Sequence, residues 1–271
     1  MRCKSSAIHH LGTSSSSSSS FKMIRGSVAV CLVFAVIIGP ARSGPVSNRI
    51  VGGQLADDTQ LPYQIALFYE GRFRCGGSII GHRHVLTAAH CVVEENELLD
   101  AKLLTVHAGS ASLKEGGHRY TVKRAIAHEG YVAVQHDIAV LEMKEAFQYD
   151  NYTQPIALAE QEVPIGSQVV ISGYGRVGDG QPASDVLLYN TMFVVENEVC
   201  QEITEAYGRG LICLDKKGTH GACNGDSGGP AAYDGKLVGV ANFILEHCGG
   251  DYPDGYAKVA YYIDWIRQFL P

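Results

Sequence analysis

The stretch Gly225-Asp226-Ser227-Gly228-Gly229-Pro230-Ala231 sets one serine among glycines, with a carboxylate directly before it. A nucleophilic serine needs an exposed hydroxyl and nearby backbone N–H groups to hold an oxyanion. Glycines let the backbone take the turn that points those groups the same way. Gly-x-Ser-x-Gly alone is common in loops. Two further stretches give it weight. Thr87-Ala88-Ala89-His90-Cys91 supplies a base, and Asp137-Ile138-Ala139-Val140-Leu141 supplies a carboxylate to orient it. Nine histidines lie beyond residue 49, and His90 is singled out by its place in Ala-Ala-His-Cys.

The order His90, Asp137, Ser227 is the chymotrypsin-type order of a catalytic triad. From Ile50 to Pro271 the chain resembles the chymotrypsin/trypsin family of secreted serine proteases, most closely the chymotrypsin-like enzymes of arthropods. Arg49-Ile50-Val51-Gly52-Gly53 resembles the family's activation junction, and Cys75-Gly76-Gly77-Ser78 the segment over the nucleophile's cleft. Ser172-Gly173-Tyr174-Gly175-Arg176 resembles its Gly-Trp-Gly turn with Tyr for Trp. Tyr256-Ala257-Lys258-Val259 resembles the strand before the C-terminal helix.

The resemblance implies an all-β fold of two six-stranded antiparallel β-barrels with a C-terminal α-helix, and an active site between the barrels. It implies that Ser227 is the nucleophile, His90 the base and Asp137 the orienting carboxylate, with the N–H groups of Gly225 and Ser227 as oxyanion hole. It implies that cleavage after Arg49 frees an α-ammonium on Ile50, which pairs with Asp226. It selects Cys75–Cys91, Cys200–Cys213 and Cys223–Cys248 among the fifteen pairings that six cysteines allow.

Short β-type runs punctuated by Gly, Asp and Asn agree with a barrel, for instance 64–69, 103–108, 167–172, 191–195 and 236–240. Val259, Ile263, Ile266 and Leu270 recur at helical spacing and predict a terminal amphipathic helix. A second helical turn is expected near 196–207.

The front of the chain reads as a targeting segment. Residues 28–38 form an apolar run preceded by Arg25 and too short to span a bilayer. Ala41-Arg42-Ser43 offers a small-x-small cleavage pattern. The expected organisation is therefore a signal peptide over 1–43, an activation propeptide over 44–49 and a protease domain over 50–271. Met23 is an alternative start, with 1–22 and its serine run as an upstream extension or a long polar leader. The expected location is extracellular.

Six of the 22 Lys/Arg and none of the 28 Asp/Glu precede residue 50, so the remainder carries a net charge of −12. That argues against nucleic acid or an anionic membrane as partner and for a soluble enzyme acting on polypeptides. An activating trypsin-like protease and protein protease inhibitors are the further partners expected, and the protein is expected to be a monomer. No cofactor is expected. No Cys/His spacing reads as zinc, and one carboxylate beside a lysine over 110–117 makes a poor calcium cage, so no metal is expected. Asn151-Tyr152-Thr153 is an N-glycosylation sequon.

The specificity pocket departs from the family pattern. Gly221, followed by Ala222, stands where trypsins carry the Asp that selects Lys or Arg. Asp254 stands where most relatives have Gly, and Ile244 replaces a wall glycine and narrows the mouth as in elastases. Phe243 replaces the usual Trp. Asn242 replaces a serine that bonds the catalytic aspartate; its amide can donate a similar bond to Asp137 but is larger. An apolar P1 residue (the one whose carbonyl is cut) is the leading expectation, with Lys or Arg recruited by Asp254 as the alternative. A non-catalytic homologue acting as a binding module is a separate alternative that the intact triad opposes. A narrow regulatory protease of a cascade is a third.

Overall fold

The structure, a computed structural model, describes residues 50–196, 198–216, 218 and 220–271. The signal peptide, the propeptide and Arg49 lie outside the described residues. Strand formation follows the apolar pattern. Gln64–Tyr69 (β1) is buried along nearly its whole length, whereas Leu188–Val195 alternates buried and half-buried side chains, the period of a strand packed on one face.

The first barrel closes from β1 with Arg72–Gly81 (β2), His84–Thr87 (β3), Leu104–Ala108 (β4), His118–Ala127 (β5) and Ala139–Met143 (β6), paired in the order β1-β2-β3-β6-β5-β4. The second uses Gln168–Gly173 (β7), Leu188–Val195 (β8), Leu211–Asp215 (β9), Pro230–Tyr233 (β10), Lys236–Phe243 (β11) and Asp254–Lys258 (β12). Its pairings run β7-β8-β9-β12-β11-β10 and return to β7. The two barrels therefore share one strand order, all antiparallel. Each closure removes the free edges that an open sheet would expose.

Each barrel encloses its own apolar cluster. The first is built around Ile65, Leu67, Leu86, Val106 and Leu141 and the second around Val169, Leu188, Leu214 and Tyr256. A third cluster of Ala66, Phe68, Tyr174 and Leu187 joins them, beside a buried bond from Ser172 Oγ to Gln64 Oε1 at 2.7 Å.

Two α-helices lie among the described residues. Glu198–Tyr207 (α1) ends at Gly208, whose φ of 98° stops the helix. The terminal helix Val259–Arg267 (α2) buries Tyr262, Trp265 and Ile266 against the first barrel's cluster. The helix is three residues shorter than the apolar spacing suggests, with Leu270 half-buried beyond its end. The disulfides join Cys75 to Cys91, Cys200 to Cys213 and Cys223 to Cys248. A bridge closing a loop of the size between Cys75 and Cys91 contributes roughly 3 kcal/mol.

Candidate active site

His90 lies in a short 3-10 turn, Ala89–Cys91, just after β3. The neighbouring Cys91 is bridged to β2, which fixes the turn to the barrel wall. Asp137 lies two residues before β6 and is 1% exposed. Its carboxylate holds His90 twice. His90 N donates to Oδ1 at 2.8 Å, and the ring Nδ1 lies 2.7 Å from Oδ2. One contact fixes the backbone and the other the ring, so the remaining ring nitrogen, Nε2, is the one left to act on a third group.

Ser227 stands at the end of the Gly225–Ser227 turn, half-buried, on the wall of a cavity of about 250 Å³. Its hydroxyl is not bonded to His90 among the described residues; such links are often long in a free site and tighten with substrate. The turn's amides divide into two sets. Asp226 N, Gly228 N and Gly229 N donate to Cys223 O, Ala241 O and Asp226 O. The N–H groups of Gly225 and Ser227 donate to no protein acceptor among the described residues. Gly225 sits at φ 102°, where an added Cβ would come 3.0 Å from Gly175 Cα. Two unspent donors at one turn can receive an oxygen that gains negative charge, each contributing about 3 kcal/mol.

Asp226 points away from that cavity. Its carboxylate is 3% exposed and accepts from Gly175 N at 2.8 Å and Cys223 N at 2.9 Å. Burial pushes its pKa up to about 7, against the lowering effect of those two bonds. A Cβ on Gly175 would stand 2.4 Å from the Asp226 carboxyl carbon, so the Gly-Tyr-Gly turn is the space this carboxylate occupies. Tyr174 fills the large aromatic position inside that turn and places its hydroxyl on Ser110 O at 2.8 Å. Ile50, 1% exposed, packs in the second barrel's cluster at φ 57°. That backbone region is costly for a β-branched residue. Val51 is held by Asn190 Nδ2 at 3.2 Å and pairs with Gly221.

Ala222, Asn242, Phe243 and Ile244 line the cavity with Ser227, together with Gly255 and Tyr256. Phe243 lies over Gly255, where a Cβ would meet its ring at 2.5 Å. Gly221 and Asp254 are not on the cavity wall. Asp254 is buried behind it, its pKa pushed up to about 7 by burial. The bond that Asn242 could donate to Asp137 is not formed among the described residues. The amide, longer than the serine it replaces, donates instead to Val134 O at 2.8 Å. His136, beside Asp137, is half-buried and stacks on His128 with ring centroids 4.6 Å apart. Asn151 is exposed, and Thr153 of the same sequon is buried. Asn190, which meets Val51, and Val134, which meets Asn242, carried no motif to mark them.

The Trypsin family model matches residues 50–266. Serine protease SP24D of Anopheles gambiae is 47% identical over 222 residues, 82% of this chain and 81% of that protein. Trypsin zeta of Drosophila melanogaster is 35% identical over 244 residues, 82% of this chain and 86% of that one. Among solved structures, neuropsin, a serine protease expressed in the limbic system of mouse brain, superposes with a TM-score of 0.73 at 27% identity. That match covers 81% of this chain and 99% of neuropsin. The chain belongs to the trypsin family, and it is a serine endopeptidase.

Proposed function

We propose that the protein is secreted as an inactive precursor, is activated by cleavage after Arg49, and then cuts polypeptides after apolar P1 residues. The observation that carries the catalytic part is the double hold of Asp137 on His90, opposite a turn with two unspent amides. In this reading Ser227 Oγ attacks the scissile carbonyl while His90 Nε2 takes its proton. Asp137 keeps the Nδ1–H tautomer and stabilises the imidazolium. The N–H groups of Gly225 and Ser227 receive the oxyanion. His90 then gives its proton to the leaving amine, and water opens the acyl-enzyme by the same route. Ser227→Ala tests this: hydrolysis is expected to vanish while the unfolding transition remains. Retained turnover would sink the assignment.

The activation reading rests on Asp226, a buried carboxylate with two amide donors and no cationic partner among the described residues. An ammonium at Ile50, already packed in the same barrel, would supply the missing charge. The apolar P1 reading rests on the cavity wall, where Ala222, Ala241, Phe243 and Ile244 meet the bound side chain. A second reading, P1 Lys or Arg, is favoured by one contact. An added Cβ on Gly221 would lie 2.9 Å from Asp254 Oδ2, so the carboxylate occupies the room of a side chain at Gly221. A peptide library varied at P1 separates the two. As partners we propose polypeptide substrates, a trypsin-like activator and protein inhibitors that fill the same cleft.

A further inference from the structure

The segment 128–137 joins β5 to β6 and delivers Asp137, so by sequence it belongs to the first barrel. Apart from the two bonds of Asp137 to His90, its side-chain holds come from elements beyond that barrel. Trp265 Nε1 of α2 donates to Glu129 Oε2 at 2.9 Å, and Tyr262 of α2 meets His136 Nδ1 at 3.4 Å. Gln135 Nε2 reaches Ala206 O of α1 at 3.4 Å. The shortest of these outside holds is Asn242 Nδ2 of β11 on Val134 O, at 2.8 Å. Val134 stands between Ala133 and His136, two residues in the left-handed region at φ 54° and 52°. Non-glycine residues keep that conformation only where the surroundings impose it.

The other wall of this segment faces a groove of about 420 Å³, where Tyr131, Val132 and Ala133 oppose Val93, Glu95 and Asn96. Both walls run within a few residues to His90 or Asp137. Val132 is 68% exposed there, an apolar side chain with nothing over it. Asn242 thus has its amide on the segment that walls this groove and its own side of the chain on the Ser227 cavity.

We propose that Asn242 is a positioning residue: by pinning the Val134 carbonyl it holds the strained segment 131–134 against the Ser227 wall. It thereby sets the width of the groove for the substrate side chain next to P1, which is apolar. The proposal rests on the endopeptidase reading above. It gives the substitution of Asn for the family's serine a role in substrate selection rather than in supporting Asp137.

The test uses the full chain cut at Arg49, with peptides of one fixed P1 residue and a varied residue before it. Asn242→Ser is too short to reach Val134, and Asn242→Leu keeps the branched shape without the donor. Titration with a serine-directed phosphonate counts folded sites. In both variants, discrimination between apolar and polar side chains at the varied position is expected to fall about fivefold, the scale of one net hydrogen bond. The loss is expected in KM, and the acid limb of the kcat profile should stay in place. Unchanged discrimination in both variants would overturn the proposal. So would a shifted acid limb with selectivity intact, which would put the effect on Asp137. A wild type that neither titrates nor cleaves would instead fell the endopeptidase reading, and this proposal with it.

Discussion

Asp254 Oδ2 accepts a hydrogen bond from Ala222 N at 2.7 Å, and the same oxygen lies 2.9 Å from where a Cβ on Gly221 would stand. The carboxylate therefore stands at Asp254 rather than at Gly221, buried behind the Ala222 wall of the cavity. Its charge state decides what that placement does. Burial holds the carboxyl pKa at about 7, so a neutral acid and a carboxylate exchange across the neutral range.

Selectivity should follow that exchange. Cleavage after Lys or Arg, relative to Leu or Phe, is expected to rise as pH passes through about 7, because only the ionised form attracts a cation. Asp254→Asn should flatten the ratio and leave apolar cleavage in place. A ratio independent of pH in the wild type would show that the carboxylate does not reach the bound side chain.

Activation makes a separate prediction. Arg49→Gln should yield a folded, inactive precursor. Asp226→Asn should stay weakly active even after cleavage at Arg49, because a neutral amide cannot pair with the Ile50 ammonium. Burying one charge without its partner costs several kcal/mol, enough to lower activity by orders of magnitude. Assays before and after a trypsin pulse decide it, and full activity of either variant would contradict the scheme.

Stability of the uncleaved chain should depend on pH with a definite sign. In the fold Asp226 has its pKa raised to about 7, so the folded state holds its proton longer than the unfolded chain does. The stability it contributes is fully present below the unfolded value near 4 and declines as pH rises through about 7. Asp226→Asn in the Arg49→Gln background should remove part of that decline. Denaturant midpoints taken across this range measure it, and parallel curves for the two proteins would refute it.

Sterics at the turn give a fourth test. Gly175→Ala places a methyl 2.4 Å from the Asp226 carboxyl carbon, in a buried site with no room to yield. Overpacking of this kind costs about 1–3 kcal/mol. Activity should fall further than stability alone explains, since the displaced carboxylate shapes the Gly225–Ser227 turn. A denaturant midpoint equal to wild type would show that the turn relaxes.

The one-dimensional pattern carried much of this. Gly-Asp-Ser-Gly-Gly, Ala-Ala-His-Cys and Asp-Ile-Ala-Val-Leu are local constraints. Each must present one side chain from a tight turn or strand end, so its chemistry is written in adjacent residues. The strand runs and the helix at Val259 were legible for the same reason: apolar periodicity is a property of neighbours. Asn242 was legible as a departure from the family's serine, but its partner was not.

Partner choice lives in three dimensions. Asn242 and Val134 are 108 positions apart, and nothing near either residue distinguishes a bond to Val134 from one to Asp137. Likewise, whether Asp254 lines the cavity or sits behind Ala222 depends on how β12 pairs with β9 and β11. By itself the sequence determined the barrel class and the residues able to do the chemistry, because those follow from local spacing and residue type. Only the tertiary structure decided which polar group meets which across the cleft and how deeply each carboxylate is buried. Long-range packing sets distance and dielectric, and those two quantities govern hydrogen bonding and charge.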